Sequence, residues 1–85
     1  MDADRNRAAL ELHEPGFAGE MVIEGLPGAR SVRITGIRPQ DGATVVKDLP
    51  ADRDADLAEL ADRVVGGDDA AAVRLLAHVG VLDPA

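Results

Sequence analysis

The chain has 85 residues, with nine basic and sixteen acidic side chains, a net charge of −7, one aromatic residue and no cysteine. This is enough for one domain with one core, and it excludes a disulfide framework and a thiolate metal site. The acidic balance also disfavours a nucleic-acid partner, whose phosphates need a basic surface.

Residues 7–14, RAALELHE, are helix formers by composition. Their order says otherwise, because Ala8, Leu10 and Leu12 alternate with Ala9, Glu11 and His13, the period of a strand. The segment fits either element; we read a strand, because the next segments look like strands and offer a hairpin partner, and Pro15-Gly16 ends it either way. EMVIEGL, 20–26, is a second short β-rich run, and LPGA, 26–29, is a turn. RSVRITGIR, 30–38, alternates, with Val32 and Ile34 on one side and Arg33 and Thr35 on the other. Gly36 predicts a bulge after which Ile37 changes faces. Pro39 ends that strand. QDGA, 40–43, carries an Asp-Gly hairpin signal, and ATVVKDL, 43–49, is the return strand.

The period then changes. Leu57, Leu60, Ala61, Val64 and Val65 fall on one face of a helix over about 53–65, with Asp52 or Asp54 as its cap. Gly66-Gly67 stops it. Asp68 or Asp69 caps a second helix over about 69–80, which Gly80 loosens at its end, and Pro84 closes the chain. The expected fold is a single α+β domain: a small antiparallel β-meander of three or four strands, then a C-terminal helical hairpin packed on one face.

That second helix is apolar nearly all round. Ala70, Ala71, Ala72, Val73, Leu75, Leu76, Ala77 and Val79 cover most of it, and Arg74 and His78 form a narrow polar stripe. Such a helix should be buried on two sides, or should lend its excess to a partner. The core is also short of large pieces, with Ala at 15 residues and Phe17 the single ring. A small core leaves a thin stability margin, so self-association or a protein partner is expected.

The stretch GGDDAAAVRLLAHVGV, 66–81, resembles the loop and helix of the peptidyl carrier proteins, in which a Gly-Gly-Asp-Ser run presents a serine for phosphopantetheine. The resemblance implies an all-helical bundle and a prosthetic arm. Here Asp69 holds the serine position and has no hydroxyl to form the phosphodiester. The upstream chain reads as strands, and Gly-Gly-Asp also serves as one helix end followed by a cap.

Other chemistry is poorly supported. The alternating acids of 2–6 and 52–56 begin like an EF-hand loop, but its sixth and twelfth positions fall on Arg7 and His13 or on Leu57 and Arg63. The hydroxyls are Ser31, Thr35 and Thr44, the histidines are His13 and His78, and nothing in their spacing suggests a triad or a metal site. No glycine-rich phosphate loop is present. We therefore expect no catalytic residues, no metal and no cofactor.

The charge is uneven, −1 over residues 1–47 and −6 over residues 48–85. A helix-turn-helix built on the two helices would face phosphates with Asp68 and Asp69. The basic residues Arg30, Arg33, Arg38 and Lys47 offer a better, alternative nucleic-acid-binding surface for a transcription regulator or antitoxin. An acidic mimic of nucleic acid would draw on Asp48, Asp52, Asp54, Asp56, Glu59, Asp62, Asp68 and Asp69, diluted by Arg53 and Arg63. The favoured expectation is a non-catalytic adaptor or regulatory protein, binding a protein partner or itself. Its surface would be Leu75, Leu76, Val79, Val81 and Leu82, rimmed by Arg74 and His78. No apolar run approaches the roughly 18 residues of a membrane span, and MDADRNR is unlike a signal peptide. A cytoplasmic protein of a GC-rich bacterium fits the composition.

Overall fold

The computed structural model describes residues 6–82. Strands β1 (Arg7–Glu14), β2 (Phe17–Glu24), β3 (Ser31–Arg38) and β4 (Ala43–Pro50) form one antiparallel sheet in the order β1-β2-β3-β4. A 3-10 turn at Ala51–Arg53 leads into α1 (Ala55–Val65) and α2 (Asp69–His78). The architecture is the expected α+β meander with a helical hairpin on the sheet. The acids Asp2 and Asp4 of the first alternating run, and Pro84, lie outside the described residues.

In β1 the alternation overrides helix propensity because it matches its neighbour. Ala8, Leu10 and Leu12 lie opposite Ile23, Met21 and Gly19 of β2, on the side that faces the helices. β2 starts three residues earlier than its apolar run, since Phe17 pairs with Glu14 across a two-residue Pro15-Gly16 turn. Val32 and Ile34 of β3, and Val45 and Leu49 of β4, complete this face.

The bulge expected at Gly36 is absent. Gly36 pairs with Gly19 on one side and Val45 on the other in unbroken register, and Ile37 stays on the helix-free face. The glycine serves another purpose. A Cβ on Gly36 would stand 2.4 Å from Ala18 O and 2.6 Å from Phe17 Cζ, and one on Gly19 would stand 2.2 Å from Thr35 O. The facing glycines make the hollow into which the Phe17 ring folds.

The β3–β4 connection also differs from the two-residue Asp-Gly turn expected. It spans residues 39–42, and only Gly42 takes a positive φ, +67°, whereas that turn type needs two. Gly42 N–H donates to Arg38 O at 2.8 Å, and Asp41 Oδ1 accepts from Ala43 N–H at 3.0 Å. Pro50 is tolerated at the end of β4 because this strand is an edge.

Asp54 is the cap of α1, accepting from the N–H groups of Asp56 and Leu57 at 3.1 Å each. At its other end Gly67 is left-handed. Asp68 N–H donates back to Arg63 O (2.9 Å) and Gly67 N–H to Val64 O (3.0 Å), the paired bonds that close a helix on glycine. Asp68 then caps α2 by accepting from Ala71 N–H. The same closure ends α2. Gly80 N–H donates to Ala77 O (3.2 Å) and Val81 N–H to Leu76 O (2.9 Å). Gly80 therefore seals the helix, where a looser end was expected, and turns Val81 back into the core.

The core lies between the sheet and the hairpin. Phe17, Met21, Ile23, Val32 and Ile34 meet Leu57, Ala61, Val64, Ala71, Ala72, Leu75 and Leu76. Its alanines let helices and sheet approach closely, which is how a chain with one ring still builds a packed interior.

Candidate functional site

The hairpin surface expected from sequence is mostly internal. Leu75 and Leu76 have no exposure and Val81 is nearly buried. The breadth of apolar surface on α2 is used within the chain, one side against α1 and one against the sheet. Val79 and Leu82 are half-buried, and Arg74 and His78 are exposed. These four are what the expected contact residues present to solvent, with Val73 exposed beside them.

The four basic residues do not form one surface. Arg30 is buried, and its guanidinium bridges Asp62 of α1, 2.8 Å away, and the carbonyl of Gly25. Arg33 lies on the helix-free face beside Asp48, its cross-strand partner, at 3.3 Å. Arg38 and Lys47 fall on the helix-facing side, and Arg38 is 3.7 Å from Asp41. A nucleic-acid backbone would find three separate locations, two of them already neutralised.

Five of the eight acids of the acidic row are likewise engaged. Asp48 and Asp62 pair with Arg33 and Arg30, Glu59 pairs with Arg63 at 3.0 Å, and Asp54 and Asp68 cap helices. Asp69, the residue in the carrier serine position, opens α2 and is exposed. The sheet upstream of it departs from the all-helical bundle that the carrier resemblance implies.

His78 closes the hairpin from the other side. Its Nε2 is 2.8 Å from Asp54 Oδ2, so the last turn of α2 is tied to the first turn of α1. That hydrogen bond, then the N–H of Leu57, holds the Asp54 carboxyl below the usual carboxylate range. His13 stands on the far face, in a cross-strand row with Ala18, Ile37 and Thr44. Three strand spacings, about 14 Å, separate it from the Thr44 hydroxyl. Among the described residues, no three His, Asp or Glu side chains gather as a metal site, and no helix is long and apolar enough to cross a membrane.

Among the described residues, two open features bear on binding. One is the helix-free face of the sheet, where Ile37 is 51% and Val46 66% exposed, beside Val22, Ala18, Thr35 and Thr44. Ile37 and Val46 are diagonal neighbours on adjacent strands. The other is a cleft of about 270 Å³ between β4 and the turn after α2, where Arg38 and Lys47 face Gly80 and Val81. A smaller cavity of about 90 Å³ continues it toward Gln40 and Leu82. Arg38 Nε is enclosed with no acceptor among the described residues. Sequence reasoning gave Arg38 and Lys47 a nucleic-acid role and missed Ile37 and Val46. The strand period did carry the signal, since both sit at polar-face positions with apolar side chains. Set against known proteins, the chain matches no family model, no curated protein and no solved structure.

Proposed function

We propose that this chain is a non-catalytic protein-binding module that engages a protein partner, or a second copy of itself, through the helix-free face of its sheet. The observation that carries this reading is the exposure of Ile37 and Val46 side by side on a face that no helix covers. An antiparallel sheet with one solvated face is ordinarily polar there, and paired aliphatic side chains are what a partner would bury. The hairpin expected to carry the contact keeps too little apolar surface, because Leu75, Leu76 and Val81 serve the core. The separation of His13 from Thr44 on that same face supports a role without catalysis.

The test is affinity capture from a lysate together with light scattering of the purified chain, for wild type and for Ile37→Glu with Val46→Glu. The reading expects a specific partner or a dimer that the double variant loses while its circular dichroism is unchanged. A partner or dimer indifferent to both substitutions counts against it.

A further inference from the structure

We propose that the β4 edge and the cleft beside it are the docking groove for an acidic, extended segment of a partner protein, which adds to the sheet as a fifth strand. This goes beyond the protein-binding reading above by adding a second contact surface, and rests on it only in taking the chain to bind a protein.

β4 is an outer strand of the sheet, and among the described residues its far side has no ladder partner. Alternate residues of this eight-residue strand direct their backbone N–H and C=O groups away from β3, where an added strand could pair with them. The cleft follows this same strand. The consecutive residues Thr44, Val45, Val46 and Lys47 line it, with Val45 and Lys47 on its helix-facing side, and Gly80 and Val81 form its opposite wall. Every second side chain of an added strand would point to the helix side and enter it. Val45 and Val81 give that side chain an apolar floor.

The charge of the cleft selects what enters. Lys47 lies on the helix-facing side of the edge strand, between Val45 and Leu49, and joins no ion pair among the described residues. An inward charge on an edge strand blocks indiscriminate pairing, because a neutral neighbour would strip water from the ammonium and return nothing. A carboxylate directly opposite removes that cost, at the roughly 5 Å spacing of cross-strand pairs. Arg38 adds a second cation, whose terminal nitrogen is 3.7 Å from Asp41 and whose enclosed Nε has no acceptor among the described residues. Lys47 thus works as a filter that admits acidic strands and rejects others. The other outer strand, β1, has the opposite character. The cleft beside it, about 250 Å³, is bordered by Glu11, Glu14 and Asp69.

The test is an NMR titration of the isotope-labelled full chain with a blocked Thr-Val-Glu-Val-Glu-Val-Thr peptide and with its counterpart carrying Lys for Glu. Salt at about 0.15 M shortens the Debye length to roughly 8 Å and screens the overall negative charge. The acidic peptide is expected to shift the amides of Thr44–Lys47 and Gly80–Val81 and to slow hydrogen exchange in β4, while the lysine peptide does neither. Lys47→Gln should weaken the acidic peptide about tenfold and Lys47→Glu should reverse the preference, each with an otherwise native amide spectrum.

Equal binding of both peptides, shifts along β1, or no shift at millimolar peptide overturns the proposal. So does concentration-dependent protection of β4 in the peptide-free chain, which would give the edge to a second copy. A captured partner that is lost in the Ile37→Glu, Val46→Glu variant but kept by Lys47→Glu overturns the groove and leaves the protein-binding reading standing. Absence of any partner or dimer sinks that reading, whereas the titration tests the groove without needing a captured partner.

Discussion

Arg30 and Asp62, thirty-two positions apart, form one ion pair across the fold: Arg30 Nε donates to Asp62 Oδ1 at 2.8 Å, with the arginine 4% and the aspartate 38% exposed. The same guanidinium donates to Gly25 O, so one side chain ties the β2–β3 loop to α1. Removing the aspartate would leave a buried charge with one partner fewer. Asp62→Ala is expected to cost about 2–3 kcal/mol, below the range for a fully buried pair because Asp62 keeps some water. Arg30→Met, which removes the charge and keeps the bulk, should cost clearly less. Denaturant titration of the two variants checks the order, and a cheaper Asp62→Ala would contradict it.

The Phe17 ring and the Gly19–Gly36 pair form a second coupled unit. Gly36→Ala places a methyl against both the ring and Ala18 O, and is expected to cost roughly 1–3 kcal/mol. In a Phe17→Leu background the same change should cost less, because part of the clash is gone. A double-mutant cycle by thermal or denaturant unfolding measures the coupling. Strict additivity would mean that the ring does not occupy this hollow.

Asp54 links pH to the hairpin. Its carboxyl is held below the ordinary value of 3.8, first by His78 and then by the Leu57 N–H. A group whose folded pKa is depressed contributes stability that is complete above its unfolded pKa and is lost as pH falls through the folded one. The Asp54 contribution is therefore present at neutral pH and disappears in acid. An NMR titration should find Asp54 below 3.8 in wild type and raised toward it in His78→Ala. An unchanged Asp54 would show that His78 is not its partner in solution.

Substitutions on the two faces should separate stability from binding. Ile37→Glu and Val46→Glu, on exposed positions, are expected to change stability by no more than about 0.5 kcal/mol each. Leu76→Ala, in the fully buried core, should cost roughly 2–5 kcal/mol. Leu75→Asp should abolish folding, since it buries a charge without a partner. Circular dichroism melts of these variants decide the matter.

The strand and helix periods were legible because each element has one buried and one wet side, and that difference is written every second or every third and fourth residue. In β1 the composition points to a helix and the spacing of Ala8, Leu10 and Leu12 to a strand, and the pairing with β2 decides between them. Less accessible was anything set by pairing across elements. Nothing near Arg30 distinguishes it from Arg33, yet one is buried against α1 and the other lies on the open face. Gly36 looked like a bulge because its partner Gly19 and the Phe17 ring meet it only in the folded sheet. The breadth of α2 was read correctly as apolar, but one helix cannot reveal how many neighbours will cover it. The cleft by Lys47 is an effect of where α2 ends, which depends on the closure at Gly80.

The chain-neighbour pairing of the meander has a kinetic consequence. Every ladder in the sheet joins consecutive strands, through connections of two, six and four residues, and α1 and α2 likewise join through a short turn. Closing such small loops costs little entropy, so the hairpins can form quickly. The slow event is the long-range docking that brings α1 and α2 back over β1, the strand farthest from them in sequence, and covers Leu12. An uncovered sheet would leave Leu12 and Met21 in water, so the ladders and the hairpin are expected to form as one cooperative unit whose refolding rate follows the docking.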